Sequence, residues 1–266
     1  MSALHEAFAR ARAEDRAALI GYLPSGFPTH AQGIELAIAM VQAGVDIVEV
    51  GLPYSDPLMD GPTIQAAVQQ ALEGGSTLSE VLATVEAVAA TGAPTLVMSY
   101  WNPIERIGVE SFADRLRGAG GVGVITPDLT PEEAGDWVAA TGAAGLDRVF
   151  LVAPSSSEQR IAAVAGITSG FVYAASLMGV TGARASVGSG ARDLVARVRA
   201  LTDLTVAVGL GVSTGEEAAE VASYADGVIV GSAFIARILA AQDHAGAVAA
   251  VRELAAELAA GVRRAG

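Results

Sequence analysis

Eight short β-branched runs recur along the chain, each followed by a longer alanine-rich helical stretch, and this alternation constrains the fold more than any other feature. The runs begin near Leu19 (LIGYL), Asp46 (DIVEV), Thr95 (TLVMSY), Val122 (VGVIT), Arg148 (RVFLV), Phe171 (FVYAA), Thr205 (TVAVGL) and Gly227 (GVIVG). The stretches between them carry helix-start signals. Thr77 with Glu80, Thr130 with Pro131 and Glu133, Ser155 with Glu158, and Thr214 with Glu217 all fit capping boxes. Strand, capped helix, strand is the grammar of parallel βαβ units. The strands read as continuous apolar runs, as parallel strands buried on both faces do. Eight units in 266 residues predict an α/β fold: a (β/α)8 TIM barrel over residues 1–266, one domain with extra helices at the N-terminus and in the βα loops. A doubly wound sheet is the alternative. Against it, the first strand runs into Leu23-Pro24-Ser25-Gly26-Phe27-Pro28, where a dinucleotide fold would place Gly-x-Gly-x-x-Gly.

Composition removes several chemistries. All 16 basic side chains are arginine, and neither lysine nor cysteine occurs. No Schiff-base aldol chemistry, covalently held pyridoxal phosphate, thiolate nucleophile or cysteine-ligated zinc is therefore available. His5, His30 and His244 are far apart and fit no metal-ligand spacing, so neither a metal nor a cofactor is expected. A net charge of −13 with dispersed arginines argues against a nucleic-acid surface. Met1 to Arg16 lacks the apolar core of a signal peptide, and Ile161 to Ala183, though uncharged, is broken by glycines and hydroxyl residues. A cytoplasmic protein without a membrane span is expected.

Chemistry is expected where barrel strands end. In Asp46-Ile47-Val48-Glu49-Val50, period-two alternation puts Glu49 on the side of Ile47, opposite Val48 and Val50. Valines on both sides would desolvate its carboxyl, raise its pKa and suit it to donate and accept a proton near neutrality. The alternative is a buried glutamate paired with an arginine. Asp60 and Asp56 lie in the following insertion, Gly51 to Gly75, and both also fit ordinary turn chemistry. Spacing does not separate them. Gly209-Leu210-Gly211 after the seventh strand and Gly231-Ser232 after the eighth suit a phosphate site, where glycine amides and a helix N-terminus meet an anion. Gly179-Val180-Thr181-Gly182 after the sixth could add an amide or close as a lid. The residues alone thus describe a barrel acting on a phosphorylated small molecule by carboxylate acid–base catalysis.

The stretch from Val48 to Gln65, VEVGLPYSDPLMDGPTIQ, closely resembles the signature of the tryptophan synthase α subunit family. The resemblance continues in Ser99-Tyr100-Trp101-Asn102-Pro103, Pro127-Asp128-Leu129, Tyr173, Gly179 to Gly182, Gly209 to Gly211 and Gly231-Ser232-Ala233. It implies a lyase of tryptophan biosynthesis that cleaves indole-3-glycerol phosphate to indole and glyceraldehyde 3-phosphate. No lysine is needed for that reaction, because the indolenine formed by protonating C3 is the electron sink. The resemblance implies Glu49 as the general acid/base and Asp60 as the acceptor of the ring N–H. It implies Gly182, Gly211, Gly231 and Ser232 as the phosphate cradle. Tyr22, Met98, Tyr100, Ile125 and Leu210 would line the indole pocket, with Tyr173 beside the glyceryl phosphate. Thr181 would meet Asp60 on loop closure. Leu210 stands where some relatives have Phe, and Leu177-Met178 where some have an arginine. The implied partner is a β subunit in an α2β2 tetramer, facing Pro53 to Leu58, Asn102-Pro103, Asp128 and the loop from Gly179 to Gly190.

Overall fold

The computed structural model describes residues 2–175, 189–209 and 211–263. A first helix, α1 (Ala3–Ala13), precedes β1 (Ala18–Pro24), α2 (His30–Gln42) and β2 (Ile47–Gly51). Two helices follow, α3 (Pro62–Glu73) and α4 (Leu78–Ala89), before β3 (Thr95–Met98). Then come α5 (Trp101–Ile107), α6 (Val109–Gly118), β4 (Gly123–Ile125), α7 (Gly135–Ala144), β5 (Asp147–Val152) and α8 (Glu158–Ile167). The remaining elements are β6 (Val172–Ala175), α9 (Ser189–Arg199), β7 (Val206–Gly209), α10 (Gly215–Ala222), β8 (Gly227–Val230), α11 (Ser232–Ala240) and α12 (His244–Val262). All eight strands pair in parallel in sequence order and β8 closes on β1. The expected (β/α)8 barrel is the fold, with its extra helices at the N-terminus (α1) and after β2, β3 and β8.

Period-two alternation divides the core. Ile20, Ile47, Leu96, Ile125, Val149, Phe171, Ala207 and Ile229 point into the barrel. Val48, Val50, Val97, Val124 and Val208 point outward against the helices. The bottom of the barrel is plugged by α1, which buries Leu4, Ala7, Phe8 and Ala11 against the inner residues. Phe8 meets Phe171 edge to face with ring centroids 5.6 Å apart.

The capping signals resolve individually. Thr77 and Glu80 form the full reciprocal box that opens α4. Thr214 caps α10, but Glu217 reaches back one residue further, to the Ser213 N–H. At α8 the cap is Ser157 rather than Ser155, its hydroxyl accepting from the Arg160 N–H. Thr130 and Glu133 bond side chain to side chain in a turn that ends before α7 begins at Gly135, so they cap no α-helix. No helix among the described residues is long and apolar enough to cross a membrane.

Candidate active site

The C-terminal ends of the strands surround a cavity of about 190 Å³. Its lining brings together Glu49, Asp60, Tyr22, Met98, Tyr173, Gly211, Gly231 and Ser232, all expected from sequence. Asp56, by contrast, is exposed and bonded to the Ser55 hydroxyl. The structure therefore separates the two aspartates that spacing could not.

Glu49 projects inward from β2, as alternation with Ile47 requires, and is 1% exposed. Neither carboxyl oxygen has a hydrogen-bond partner among the described residues. The arginine-paired alternative is thus not the arrangement seen. Burial alone pushes the carboxyl up to about 8, because nothing among the described residues compensates the charge.

Asp60 stands just before Gly61, the N-cap of α3, with Pro62 at the first helical position. Burial raises its pKa, and a hydrogen bond from the Tyr100 hydroxyl, 3.1 Å from Oδ1, pulls the other way. The same Tyr100 oxygen accepts the Met59 N–H at 3.0 Å. Tyr100 also packs on Tyr54 at 5.5 Å between centroids, and Asn102 Nδ2 donates to the Tyr54 hydroxyl at 2.7 Å. The loop after β2 is therefore tied to the loop after β3, which fixes Asp60. Tyr100 holds Asp60 in place and is not itself part of the cavity wall.

The tyrosines explain several glycines. A Cβ on Gly51 would overlap the Tyr22 ring and hydroxyl, and one on Gly231 would lie 3.0 Å from Tyr22 Cδ1. A Cβ on Gly209 would lie 2.5 Å from the Tyr173 hydroxyl. These glycines make room for aromatic rings. Gly211 differs: its φ is +72° and nothing lies within 4 Å of where a Cβ would be. That open, left-handed backbone suits close approach by an anion. Beside it, α11 begins at Ser232 with Gly231 as N-cap and no side-chain cap, so its first amides face the cavity end of β8.

Ile125 is, after Tyr100, the second expected wall residue that lies outside the cavity lining. Ile125 is fully buried and packs with the inner barrel core, below the cavity. Its direction was read from sequence, but its height follows from register: Met98 pairs with Ile125, and Ile125 with Val149. Strand tilt carries that line down toward α1. Leu151, two residues beyond Val149, reaches the cavity instead, with Met59, Ile64, Ala175 and Ile229. Alternation along β5 and β8 could have indicated Leu151 and Ile229. Thr181, Gly182 and Leu210, with Leu177, Met178 and most of the loop from Gly179 to Gly190, lie outside the described residues.

The family description "Tryptophan synthase alpha chain" matches residues 8–263. The tryptophan synthase alpha chain of Thermobifida fusca (strain YX) is 59% identical over 268 residues, covering 100% of this chain and 99% of its own length. That of Acidothermus cellulolyticus is 58% identical, over 99% of this chain and 98% of its own. Among solved structures, tryptophan synthase from M. tuberculosis in an aminoacrylate-bound form superposes with a TM-score of 0.90 at 48% identity, covering 98% of this chain and 100% of that one. The alpha chain from Legionella pneumophila superposes at 0.87 and 30% identity, covering 98% and 97%.

Proposed function

This chain belongs to the tryptophan synthase alpha chain family, an enzyme subunit that cleaves indole-3-glycerol phosphate to indole and glyceraldehyde 3-phosphate, and on that premise we propose how its own residues carry out the cleavage. One observation carries the proposal: a glutamate buried in the barrel mouth with both oxygens unbonded, opening on a cavity that also holds a second carboxylate. Such a group is neutral at the start of the reaction and can deliver its proton.

Protonated Glu49 donates to C3 of the indole ring, giving the indoleninium and leaving Glu49 ionised. The Glu49 carboxylate then takes the proton of the glyceryl hydroxyl next to C3. The carbon–carbon bond breaks, the aldehyde forms, and the bonding pair returns to the ring as the C2–C3 double bond. Glu49 ends protonated, as it began. Asp60, ionised and held by Tyr100, accepts the ring N–H and stabilises the positive charge that develops there. Gly211, Gly231 and Ser232 bind the phosphate through backbone amides and the α11 N-terminus, with Gly182. Tyr22, Met98, Leu151 and Ile229 form apolar walls with Leu210, and Tyr173 borders the glyceryl phosphate. Ile125 supports the floor from below, and Thr181 meets Asp60 on closure. The chemistry is that of a lyase and uses no metal or cofactor.

The family implies a β subunit partner. We assign that partner to the mouth of the barrel in an α2β2 assembly, working in the cytoplasm on a soluble metabolite. Leu58, 76% exposed at the tip of the loop after β2, and exposed Asp56 and Asn102 support this face, to which Asp128 and the loop from Gly179 to Gly190 would also contribute.

The test follows glyceraldehyde 3-phosphate release from indole-3-glycerol phosphate by the purified chain, alone and with β subunit, chelator present throughout. Slow release alone and strong stimulation by the partner are expected. Wild-type cleavage by folded Glu49→Gln would overturn the mechanism.

A further inference from the structure

If the preceding reading holds, the glyceryl chain of the substrate must run from the carbon protonated by Glu49 to the phosphate held at Gly231 and Ser232. The strand between those two points is β1. Tyr22 pairs with Glu49 across β2. On the other side Gly21 pairs with Val230 of β8, so the next residue, Tyr22, stands beside Gly231. The close approach of Tyr22 Cδ1 to Gly231 and of its hydroxyl to Gly51 fixes the ring across that gap. Tyr22 is 7% exposed and lines the cavity. Its hydroxyl makes no hydrogen bond with the described residues, and the carboxylates of Asp60 and Glu49 both act on it electrostatically.

A phenol donor left unused beside apolar walls is unfavourable unless a ligand engages it. The substrate's polar groups are few. Its ring N–H is matched by Asp60, its phosphate by the amides of the cradle and the proton of the hydroxyl next to C3 by Glu49, which leaves the oxygen lone pairs of the glyceryl hydroxyls to accept from a donor. We propose that the Tyr22 hydroxyl, which lies against Gly51 at the Glu49 end of this path, is a specificity-determining contact that hydrogen-bonds the glyceryl chain where it leaves the indole ring, ahead of the phosphate cradle. The contact distinguishes a hydroxylated three-carbon chain from a plain alkyl chain of the same length. Burial raises the phenol well above its ordinary pKa, so it remains a neutral donor wherever the enzyme works.

The test combines one protein change with one ligand change. Tyr22→Phe keeps the ring that fills the space left by Gly51 and Gly231 and removes only the hydroxyl. The two ligands are indole-3-glycerol phosphate and indole-3-propanol phosphate, identical except for the glyceryl hydroxyls. Binding is measured by calorimetry in a Glu49→Gln background, so that turnover does not interfere, and kcat/KM for the substrate is measured with Glu49 intact. Tyr22→Phe should weaken substrate binding and lower kcat/KM by roughly 2- to 10-fold, the range of one neutral hydrogen bond. Binding of the propanol analogue should stay within about twofold, which also certifies the folded pocket. Equal changes for both ligands, including none, overturn the proposal. Failure of the parent chain to bind either ligand is a different pattern and overturns the functional reading on which the proposal rests.

Discussion

Glu49 should destabilise the fold that holds it, and replacing it by glutamine should reveal by how much. In the folded chain its carboxyl titrates at about 8, against an ordinary 4.5. Between those values the folded state keeps a proton that the unfolded state has released. Stability therefore falls as pH rises through that window, and the full loss is present above pH 8. At 1.36 kcal/mol per pH unit, a span of 8 − 4.5 = 3.5 gives about 5 kcal/mol as an upper value. Glutamine has the same shape and no charge to desolvate. It finds no partners either, since neither carboxyl oxygen is bonded now, so a neutral amide replaces a neutral acid at little cost below pH 5. Glu49→Gln should thus match the parent in Tm near pH 4.5 and exceed it increasingly toward pH 9. Even half the full value would move Tm by roughly 5–10 °C for a chain of this size. The assay is thermal unfolding by circular dichroism at several pH values, with loss of cleavage confirming that the altered side chain is the catalytic one. Parallel Tm profiles for the two proteins across pH 4.5–9 would refute the desolvation argument.

Three further outcomes follow from the same geometry. The pH–rate profile, with chemistry limiting, should be bell-shaped: the basic limb falls near pH 8 as Glu49 loses the proton it must donate, and the acidic limb lies above the ordinary aspartate value of 3.8 because burial raises Asp60. A rate that is flat across pH 5–9 would contradict it. Tyr100→Phe removes the hydroxyl that donates to Asp60 and accepts from the Met59 N–H. It should lower kcat/KM by roughly 10- to 100-fold, as for a hydrogen bond to a charged group, and move the acidic limb upward; an unmoved limb would show that Tyr100 does not hold Asp60. Gly209→Ala places a methyl against the Tyr173 hydroxyl. It should cost about 1–3 kcal/mol by overpacking, read as a lower denaturant midpoint, together with weaker substrate binding.

How much of this was legible in the sequence depends on which physical quantity a pattern encodes. Alternation encodes direction, because successive side chains on a strand point to opposite faces. It therefore gave the inward orientation of Glu49 beside Ile47 and the outward orientation of Val48 and Val50, as the two packing layers bear out. Height along the barrel axis is not encoded locally. It depends on how neighbouring strands are staggered when the sheet closes, and so Ile125 and Leu151 look equally eligible in sequence while only Leu151 reaches the cavity. Helix starts show the same division. Thr77 and Glu80 form a complete box, while a Ser-x-x-Glu of equal promise at Ser155 loses the cap to Ser157.

The glycines carry the argument one step further. In sequence, Gly209, Gly211 and Gly231 look alike, small residues after the last two strands that could admit an anion. Only Gly211 combines a left-handed backbone with open space, whereas Gly209 and Gly231, like Gly51, are small because a tyrosine ring occupies the position of the missing Cβ. Local composition thus marked strand ends that line the cavity, and the smallness of these residues has a second cause besides room for an anion. The second reason lies in residues distant in sequence, Tyr22 and Tyr173, which become neighbours of those glycines when strand order and register are set. The proposed phosphate cradle and the aromatic packing consequently share the same strand ends. A substitution there that spares the backbone amides still moves a tyrosine, so losses of substrate affinity at Gly209 and Gly231 should be accompanied by displaced rings. At Gly211 they should not.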